Sequence, residues 1–422
     1  MRALDINELL KGVDCTCGKE HSCPIQAVYI EKDAIRHLTE LSEDYDRVLL
    51  VADENTYGAA GLQTEQALTG KDLRKKIFSG KEILVPNESA IEAVEAVLGD
   101  AELIVGVGSG VIQDLCKYVS HDRKVPYMIV ATAPSMDGYA SSGAAMITGG
   151  MKVTYSVGLP TAILADTEVL RQAPMDMIKA GYGDILGKYS SLNDWKLSSC
   201  VKGEYFCQYI YDMTMEQVEQ TLRLAEGLLN REEKSIRTLT EALVVVGILI
   251  SFVGSSRPAS GSEHHLSHYF EITGLVTDTP YFPHGLDVAY SSVVTAELRQ
   301  ELLEQGLPEK NCVPGRAAYE ATMERLYRQV GKECVALQDQ VGHYTSERGA
   351  AYRAKADEIR AVLSEAPAPE EMRRMLAKAQ IDMAPFYALY GEEKIQDGVW
   401  YAKDLKDRYT VLWMYYDRFG RN

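Results

Sequence analysis

Short apolar runs alternate with helix-like segments from residue 27 to about residue 170. The runs have strand length and are largely apolar, which is typical of strands buried on both faces of a parallel sheet. They lie at 27–30 (AVYI), 46–53 (DRVLLVAD), 103–105 (LIV), 126–131 (PYMIVA) and 162–166 (AILAD). Segment 144–157 (AAMITGGMKVTYSV) predicts a hairpin that turns at Gly149–Gly150. The pattern predicts an α/β domain over residues 1–170.

From residue 175 onward the spacing of apolar positions becomes helical and remains so to the C-terminus. A second, all-α domain is therefore expected over residues 171–422. The apolar run at 242–254 (ALVVVGILISFVG) is shorter than the roughly 20 residues that span a bilayer, so it predicts a buried helix. The predicted helices lie at 213–229, 232–252, 287–305, 316–330 and 352–363.

Charge and composition narrow the possible partners. The 422 residues carry a formal net charge of −17, which disfavours nucleic acid or an anionic membrane as partner. An anionic substrate would need a local basic pocket. The N-terminus (MRALDINELLKG) lacks the features of a signal peptide, and eight cysteines over this length do not resemble a disulfide scaffold. A cytoplasmic location without membrane insertion is expected.

A glycine-rich turn follows the strand at 103–105. Gly106, Gly108 and Gly110 precede a helical stretch, and such a turn lets backbone N–H groups approach a pyrophosphate at a helix N-terminus. The spacing is GxGxG rather than the GxGxxG fingerprint, so a plain tight turn is the alternative. Asp53 ends an earlier strand, where a carboxylate can bind ribose hydroxyls and repel the extra phosphate of NADP, although strand-end aspartates are also common turn formers.

Four of the eight histidines lie between residues 257 and 285. His264 and His268 are four residues apart, so they share one face of a helix, and His284 lies between a proline and a glycine at the start of an element. Such a cluster is typical of a metal site, and the alternative is a set of solvated surface histidines with one packed in the core. Asp184, on a predicted helix with Lys188 on the same face, supplies a carboxylate. This ligand set suits zinc, nickel or ferrous iron equally well.

A cysteine-rich segment lies near the N-terminus, at residues 15–23 (CTCGKEHSC). Cys15, Cys17, His21 and Cys23 are three sulfurs and an imidazole that could bind zinc. The spacing is not that of paired CxxC knuckles, and a reduced, partly exposed loop is the alternative. The sequence leaves both interpretations open.

Five motifs in a fixed order carry a resemblance to a known family. They are GVGSG-x3-D-x2-K from Gly106, APSMDG from Ala133, GYGD-x3-K-x5-DW from Gly181, SGSEH-x3-H from Ser260, and PHG from Pro283. In this order they resemble sn-glycerol-1-phosphate dehydrogenases, in the iron-containing alcohol dehydrogenase and dehydroquinate synthase-like superfamily. The cysteine-rich segment and the extra length resemble the bacterial branch. The resemblance implies a Rossmann-like NAD(P)-binding domain followed by an all-α, metal- and substrate-binding domain.

The resemblance also implies roles for individual residues. Asp184, His264 and His284 would be the metal ligands, with His268 close by as a catalytic or substrate-binding neighbour and His265 pointing elsewhere. Asp137 and Lys188 would face the substrate. Residues that would contact NAD or NADP are Asp53, Gly108, Ser109, Gly110, Asp114, Thr132, Ser135 and Ser141. The divalent metal would be zinc or nickel, with iron as a further option.

The implied reaction is hydride transfer between sn-glycerol 1-phosphate and NAD(P), giving dihydroxyacetone phosphate. Arg257 is the predicted phosphate ligand together with Lys188, whereas Arg408 is interpreted as a surface salt bridge that could instead reach a cleft. The alternatives are a glycerol or polyol dehydrogenase for an unphosphorylated substrate, a dehydroquinate synthase-like cyclase, and a non-catalytic sensor. A small phosphorylated substrate and a homodimer are expected.

Overall fold

The computed structural model describes residues 5–82, 84–149 and 151–420. The chain forms two compact units. The first covers the chain up to Ile185 together with Glu219–Ser255, and the second covers Leu186–Val218 and the chain from Ser256 onward. The predicted division into domains 1–170 and 171–422 stays a prediction.

The first unit is built on a six-stranded, wholly parallel sheet with the strand order β1-β8-β5-β4-β2-β3. Side chains of β2 alternate between two apolar cores, with Leu50 in one and Leu49 and Val51 in the other. The sheet is thus buried on both faces, which is why its central strands are continuous apolar runs. Its strands are β1 Ala27–Glu31, β2 Arg47–Asp53, β3 Asp72–Phe78, β4 Leu103–Gly108, β5 Tyr127–Ala131 and β8 Ala162–Asp166.

A separate antiparallel hairpin lies between β5 and β8 in the chain. Strands β6 (Gly143–Thr148) and β7 (Met151–Ser156) pair from Gly143↔Ser156 to Thr148↔Met151. This confirms the hairpin expected from the sequence, although Gly150 of its predicted turn lies outside the described residues. An isolated backbone pairing of Asn87 with Ile147 joins the hairpin to the start of the helix Glu88–Leu98.

Helices connect the strands and complete the first unit. Those before β8 and directly after it are α1 Ile6–Leu10, α2 Leu38–Leu41, α3 Glu54–Thr56, α4 Leu62–Ala67, α5 Glu88–Leu98, α6 Gly110–Arg123 and α7 Thr167–Leu170. Two helices continue from one unit into the other, α8 Met175–Lys202 and α9 Gln208–Leu222, and two more belong to the first unit, α10 Ala225–Leu229 and α11 Glu233–Val253.

Helix α11 is long and apolar enough to cross a membrane, with a mean hydropathy of 2.0 over its most apolar window. However, 78% of that window is buried within the protein. Buried core helices commonly pass the same test, so the apolar sequence of α11 is accounted for by packing, as its composition predicted.

The second unit is helical throughout its described part. Its remaining helices are α12 Ser262–Thr277, α13 His284–Gln305, α14 Arg316–Tyr327, α15 Gly331–Val341, α16 Gly349–Ala354, α17 Ala356–Glu365, α18 Pro369–Lys378, α19 Ala384–Tyr401 and α20 Val411–Phe419. The helix predicted at 352–363 is in fact two helices, α16 and α17. In the same way, the helix predicted at 213–229 is divided between α9 and α10.

A buried ion pair fixes the start of α12. One carboxylate oxygen of Asp194, on α8, accepts the backbone N–H of Ser262 at 2.7 Å. The other accepts a guanidinium N–H of Arg299, on α13, at 3.0 Å and the N–H of Val411 at 2.9 Å. Asp194 thus joins α8, α12, α13 and the start of α20, and its contact with α12 at Ser262 is two residues before His264. Burial raises the pKa of Asp194, and the positive charge of Arg299 opposes this effect.

Replacing Asp194 by Asn should destabilise the protein strongly, because it leaves the buried Arg299 guanidinium without its counter-ion. We expect a loss of about 3–5 kcal/mol in the free energy of unfolding, measured by denaturant titration. The exposed pair Arg316–Glu320 provides the control, since Glu320→Gln should change stability by about 1 kcal/mol or less. Equal effects of the two substitutions would contradict this account.

Candidate metal centre and nucleotide site

The glycine turn at the end of β4 is as tight as its sequence predicts. Strand β4 ends at Gly108, Ser109 precedes the helix, and α6 begins at Gly110. A Cβ on Gly108 would lie 2.5 Å from Cβ of Ile112, and one on Gly106 would lie 2.9 Å from Sγ of Cys116. These two glycines are therefore required by the close packing of α6 on the strand, whereas a Cβ at Gly110 would meet nothing closer than 3.6 Å.

Several predicted nucleotide ligands lie along one edge of the sheet. The carboxyl ends of β2, β4 and β5, which are neighbours in the sheet, carry Asp53, Gly108 and Thr132, respectively. The Asp53 carboxylate caps α3 by accepting the N–H groups of Asn55 at 2.8 Å and Thr56 at 2.9 Å. Ligands of open α/β sheets bind at this edge. The nucleotide role of these residues stays a prediction. Asp53 has a structural role as a helix cap, where the sequence suggested a turn former as the alternative.

The other predicted nucleotide ligands lie on α6 and in the segment that follows β5. Asp114 is a half-buried residue of α6, and Ser135 is half-buried ahead of the short 3-10 helix Asp137–Ala140. The Ser141 hydroxyl donates to the carbonyl oxygen of Gly138 at 3.1 Å.

Lys117 was not assigned a role from the sequence. Its ammonium group is fully buried and donates to the carbonyl oxygens of Gly138 at 3.1 Å and Gly143 at 2.8 Å, with the Asp114 carboxylate 3.6 Å away. Burial lowers the pKa of Lys117. The residue therefore fixes the segment that carries Asp137. The motif D-x2-K, which contains Lys117, was visible in the sequence. However, no sequence pattern distinguishes a buried lysine that binds backbone carbonyl groups.

Asp184 is fully buried on α8, and its carboxylate is oriented by the protein backbone. One of its oxygens accepts the N–H of Asp137 at 3.0 Å. A Cβ on Gly181 would collide with the carbonyl oxygen of Pro134, so α8 can approach this segment only with a glycine at that position. Lys188 lies one turn after Asp184, is also fully buried, and donates to the carbonyl oxygen of Ala259 at 3.2 Å.

Three histidines converge where α12 packs on α13. The ring centroid of His284 lies 5.1 Å from that of His264 and 5.5 Å from that of His268. His284 is the first residue of α13, as the flanking proline and glycine indicated. His265 points elsewhere, is fully buried, and has a pKa far below its usual value because of burial and then the positive charge of Arg408.

Neighbouring side chains fix the orientation of the two predicted histidine ligands. Nδ1 of His264 lies 2.6 Å from a carboxylate oxygen of Glu263, and Nδ1 of His284 lies 3.3 Å from the hydroxyl of Ser267. Metal-binding histidines usually use one ring nitrogen for such a contact and the other for the ion. Glu263, which is fully buried and also accepts the N–H of Gly261 at 2.9 Å, was missed in the sequence.

Asp184, His264 and His284 each place one ligand atom within 4.8 Å of the other two. Asp184 is carried by α8, which continues unbroken to Gly187, and there the helix packs against Val288. Ligand atoms with bonds of about 2.1 Å to a shared ion lie roughly 3 to 4 Å apart, and the observed upper limit is compatible with such an arrangement. One carboxylate and two imidazoles fit zinc, nickel or ferrous iron, and the choice of metal stays open.

The guanidinium of Arg257 is buried and already paired. Its Nε donates to one carboxylate oxygen of Glu204 at 2.6 Å, and its Nη2 donates to the other at 2.5 Å and to the carbonyl oxygen of Tyr409 at 2.8 Å. Within the described chain, Nη1 has no hydrogen-bond partner. Arg408 lies close by and donates to the hydroxyl of Ser256 at 3.0 Å and the carbonyl oxygen of Ser260 at 3.2 Å.

Comparison with known proteins confirms the family that the sequence motifs resemble. Residues 29–174 match the family model described as iron-containing alcohol dehydrogenase. The glycerol-1-phosphate dehydrogenase [NAD(P)+] of Halalkalibacterium halodurans is 35% identical over 69% of this chain and 77% of its own length. The enzyme of the same name from Geobacillus stearothermophilus is 29% identical over 94% of both chains.

Solved structures support the fold. The iron-containing alcohol dehydrogenase of Corynebacterium glutamicum superposes with a TM-score of 0.58 over 97% of this chain and 99% of its own, at 16% identity. This likeness shows a shared architecture of a parallel α/β sheet followed by a helical region. The 35% identity to the H. halodurans protein, over 77% of that protein's length, establishes that this chain belongs to the glycerol-1-phosphate dehydrogenase family of the iron-containing alcohol dehydrogenases.

Proposed function

We propose that this protein is a metal-dependent, NAD(P)-linked dehydrogenase that interconverts sn-glycerol 1-phosphate and dihydroxyacetone phosphate. The observation that carries the proposal is the convergence of a buried carboxylate and two oriented imidazoles, Asp184, His264 and His284. Relatives named for this activity support the choice of substrate. The names of these relatives include both NAD and NADP, so the cofactor preference is a separate question.

Asp184, His264 and His284 would hold one divalent ion, which when bound supplies Lewis acidity toward a hydroxyl or carbonyl oxygen of the substrate. The N–H of Asp137 keeps the Asp184 carboxylate in position, and Glu263 keeps one nitrogen of His264 engaged. Such neighbours commonly account for 10- to 100-fold in metal affinity. The nicotinamide supplies the hydride chemistry, so the protein contributes position and charge.

Proton transfer requires a group near the reacting oxygen. His268 lies half-buried beside His284, with 5.5 Å between their ring centroids, and we assign it the role of proton relay. Lys188, one turn from Asp184 and fully buried, is the proposed cation on the substrate side. Asp137 is the proposed hydrogen-bonding partner of a substrate hydroxyl.

The nucleotide would lie on the edge of the sheet formed by the ends of β2, β4 and β5. There the turn at Gly108–Gly110 offers backbone N–H groups to the phosphates at the N-terminus of α6. Asp53 lies at the end of β2, where its charge would disfavour the 2′-phosphate of NADP. We therefore propose a preference for NAD.

Phosphate recognition requires more than Arg257, because Glu204 balances its charge. Arg408 hydrogen-bonds to Ser260, four residues before His264, and its Nε lies 3.6 Å from the exposed carboxylate of Asp407, the salt bridge that the sequence suggested. Because Asp407 is exposed, its charge is screened by solvent, and Arg408 would supply the additional positive charge. We propose that the two guanidinium groups act together on the phosphate. The pairing of Arg257 with Glu204 also favours the alternative, a polyol dehydrogenase with an unphosphorylated substrate, because such a substrate needs no free positive charge. A cytoplasmic location and a homodimer stay predictions.

Replacing either histidine ligand should abolish activity and metal binding together. Loss of several kcal/mol of Lewis-acid stabilisation corresponds to about a thousandfold or more in kcat. His264→Ala and His284→Ala would be assayed by NADH oxidation with dihydroxyacetone phosphate after loading with zinc, nickel or iron, and their metal content would be measured by mass spectrometry. The exposed His121 provides the control as His121→Ala. A ligand variant that keeps both metal and turnover would refute the assignment.

Replacing Arg408 by Met should weaken binding of the phosphorylated substrate selectively. A lost charged hydrogen bond of about 1.5–3 kcal/mol predicts a rise in KM for dihydroxyacetone phosphate of roughly 10- to 100-fold. Values of KM for dihydroxyacetone, measured in parallel, should change little. Arg418→Met serves as a control at an exposed position. An equal effect on both substrates would remove Arg408 from the phosphate site and favour the polyol alternative.

Replacing Asp53 by Asn should relax the preference for NAD over NADP. Asparagine keeps the cap of α3 but removes the negative charge, so stability should be retained. The ratio of kcat/KM for the two cofactors reports the effect, and Asp72→Asn, at an exposed start of β3, is the control. If the ratio is the same in wild type and Asp53→Asn, the ribose contact lies elsewhere.

A further inference from the structure

A second cluster of metal-binding side chains shares no residue with the site of the proposed reaction. One ligand atom from each of Cys15, Cys17, His21 and Cys207 lies within 4.8 Å of the other three. We propose that these four residues bind a structural zinc ion. The sequence suggested zinc at residues 15–23 but grouped Cys23 with the others, whereas the structure brings in Cys207, which directly precedes α9.

The distances suit tetrahedral zinc. Sγ of Cys17 lies 3.3 Å from Nε2 of His21. With bonds of about 2.3 Å to sulfur and about 2.0 Å to nitrogen, a cysteine and a histidine that share a tetrahedral zinc ion place these atoms about 3.5 Å apart. Three thiolates and one imidazole form a recognised structural zinc set, and soft sulfur ligands exclude magnesium and calcium.

His21 is oriented for this role by the C-terminal end of α11. Its ring is 1% exposed and stacks on Phe252, with 5.6 Å between centroids and 16° between planes. Nδ1 lies 3.3 Å from the carbonyl oxygen of Phe252, so Nδ1 carries the proton as donor and Nε2 presents its lone pair toward Cys17. A backbone carbonyl as second partner of a zinc-binding histidine is a common arrangement.

The backbone of the segment is shaped to bring its ligands together. Gly18 has φ +87°, a left-handed conformation that favours glycine and reverses the chain between Cys17 and His21. Val13 pairs with His21 as an isolated antiparallel bridge. The ammonium of Lys19 donates to the carbonyl oxygen of Val253 at 3.0 Å. These contacts help to hold a segment that contains no helix or extended strand between Cys15 and Cys23.

Four protein ligands leave no open position on zinc, so the ion would stabilise the segment and take no part in hydride transfer. Cys23 lies outside the cluster among the described residues, and burial raises the pKa of its thiol. It therefore provides a matched control that lies within the same segment.

The test uses the full-length protein with the catalytic ligands replaced, His264→Ala with His284→Ala, so that only the second site can retain metal. After loading with zinc and dialysis, mass spectrometry should find one zinc per chain. Adding Cys15→Ser or Cys207→Ser should reduce zinc at least tenfold, whereas Cys23→Ser should leave it at one. Zinc that persists in both cysteine variants, or a folded background protein without zinc, would overturn the proposal.

Cobalt substitution of the wild-type protein keeps the test valid if the background variant does not fold. The catalytic ligands contain no sulfur, and among the described residues the second cluster is the metal-binding group that contains cysteine, so a thiolate-to-cobalt charge-transfer band would report this site. The band should be present in wild type and in Cys23→Ser, and absent in Cys15→Ser, whose side chain is partly exposed and so tolerates substitution. Absence of the band in the wild-type protein, or its persistence in Cys15→Ser, would contradict zinc at this position.

Discussion

The burial of Asp184 beside His264 and His284 is the constraint on which the proposed chemistry depends. A carboxylate removed from water costs several kcal/mol unless a positive charge or strong hydrogen bonds compensate it. The backbone N–H of Asp137 supplies one hydrogen bond, and a divalent ion shared with the two imidazoles would supply the charge. Glu263 and Ser267 hold the imidazoles in the orientation that such an ion requires.

The remaining architecture can be understood as the support for this arrangement. Asp194 and Arg299 fix the beginning of α12, two residues before His264, and Pro283 starts α13 at His284. In the first unit, the packing of α8 at Gly181 places Asp184 against the segment to which Lys117 also binds. Apart from Pro283, each of these supports is a buried polar group or a glycine, where substitution is costly.

The parts of the fold that the sequence predicted are those determined locally. Apolar runs predicted β2 and β5 almost to the residue, because strands buried on both faces allow few polar side chains. The motifs also singled out Asp184, His264 and His284, which the structure brings together. Contacts between residues far apart in the chain could not be predicted: Glu204 neutralises Arg257, and Cys207 rather than Cys23 joins the N-terminal cysteines. The spacing of residues carries no information about such pairs.

A crystal structure of the metal-loaded protein, with data collected on both sides of the absorption edge of the metal, tests the central claim most directly. The account predicts one anomalous peak bonded to a carboxylate oxygen of Asp184 and to one nitrogen each of His264 and His284, at about 2.0–2.2 Å. A peak that excludes Asp184, or a fully loaded protein with no ion between these three side chains, would contradict it.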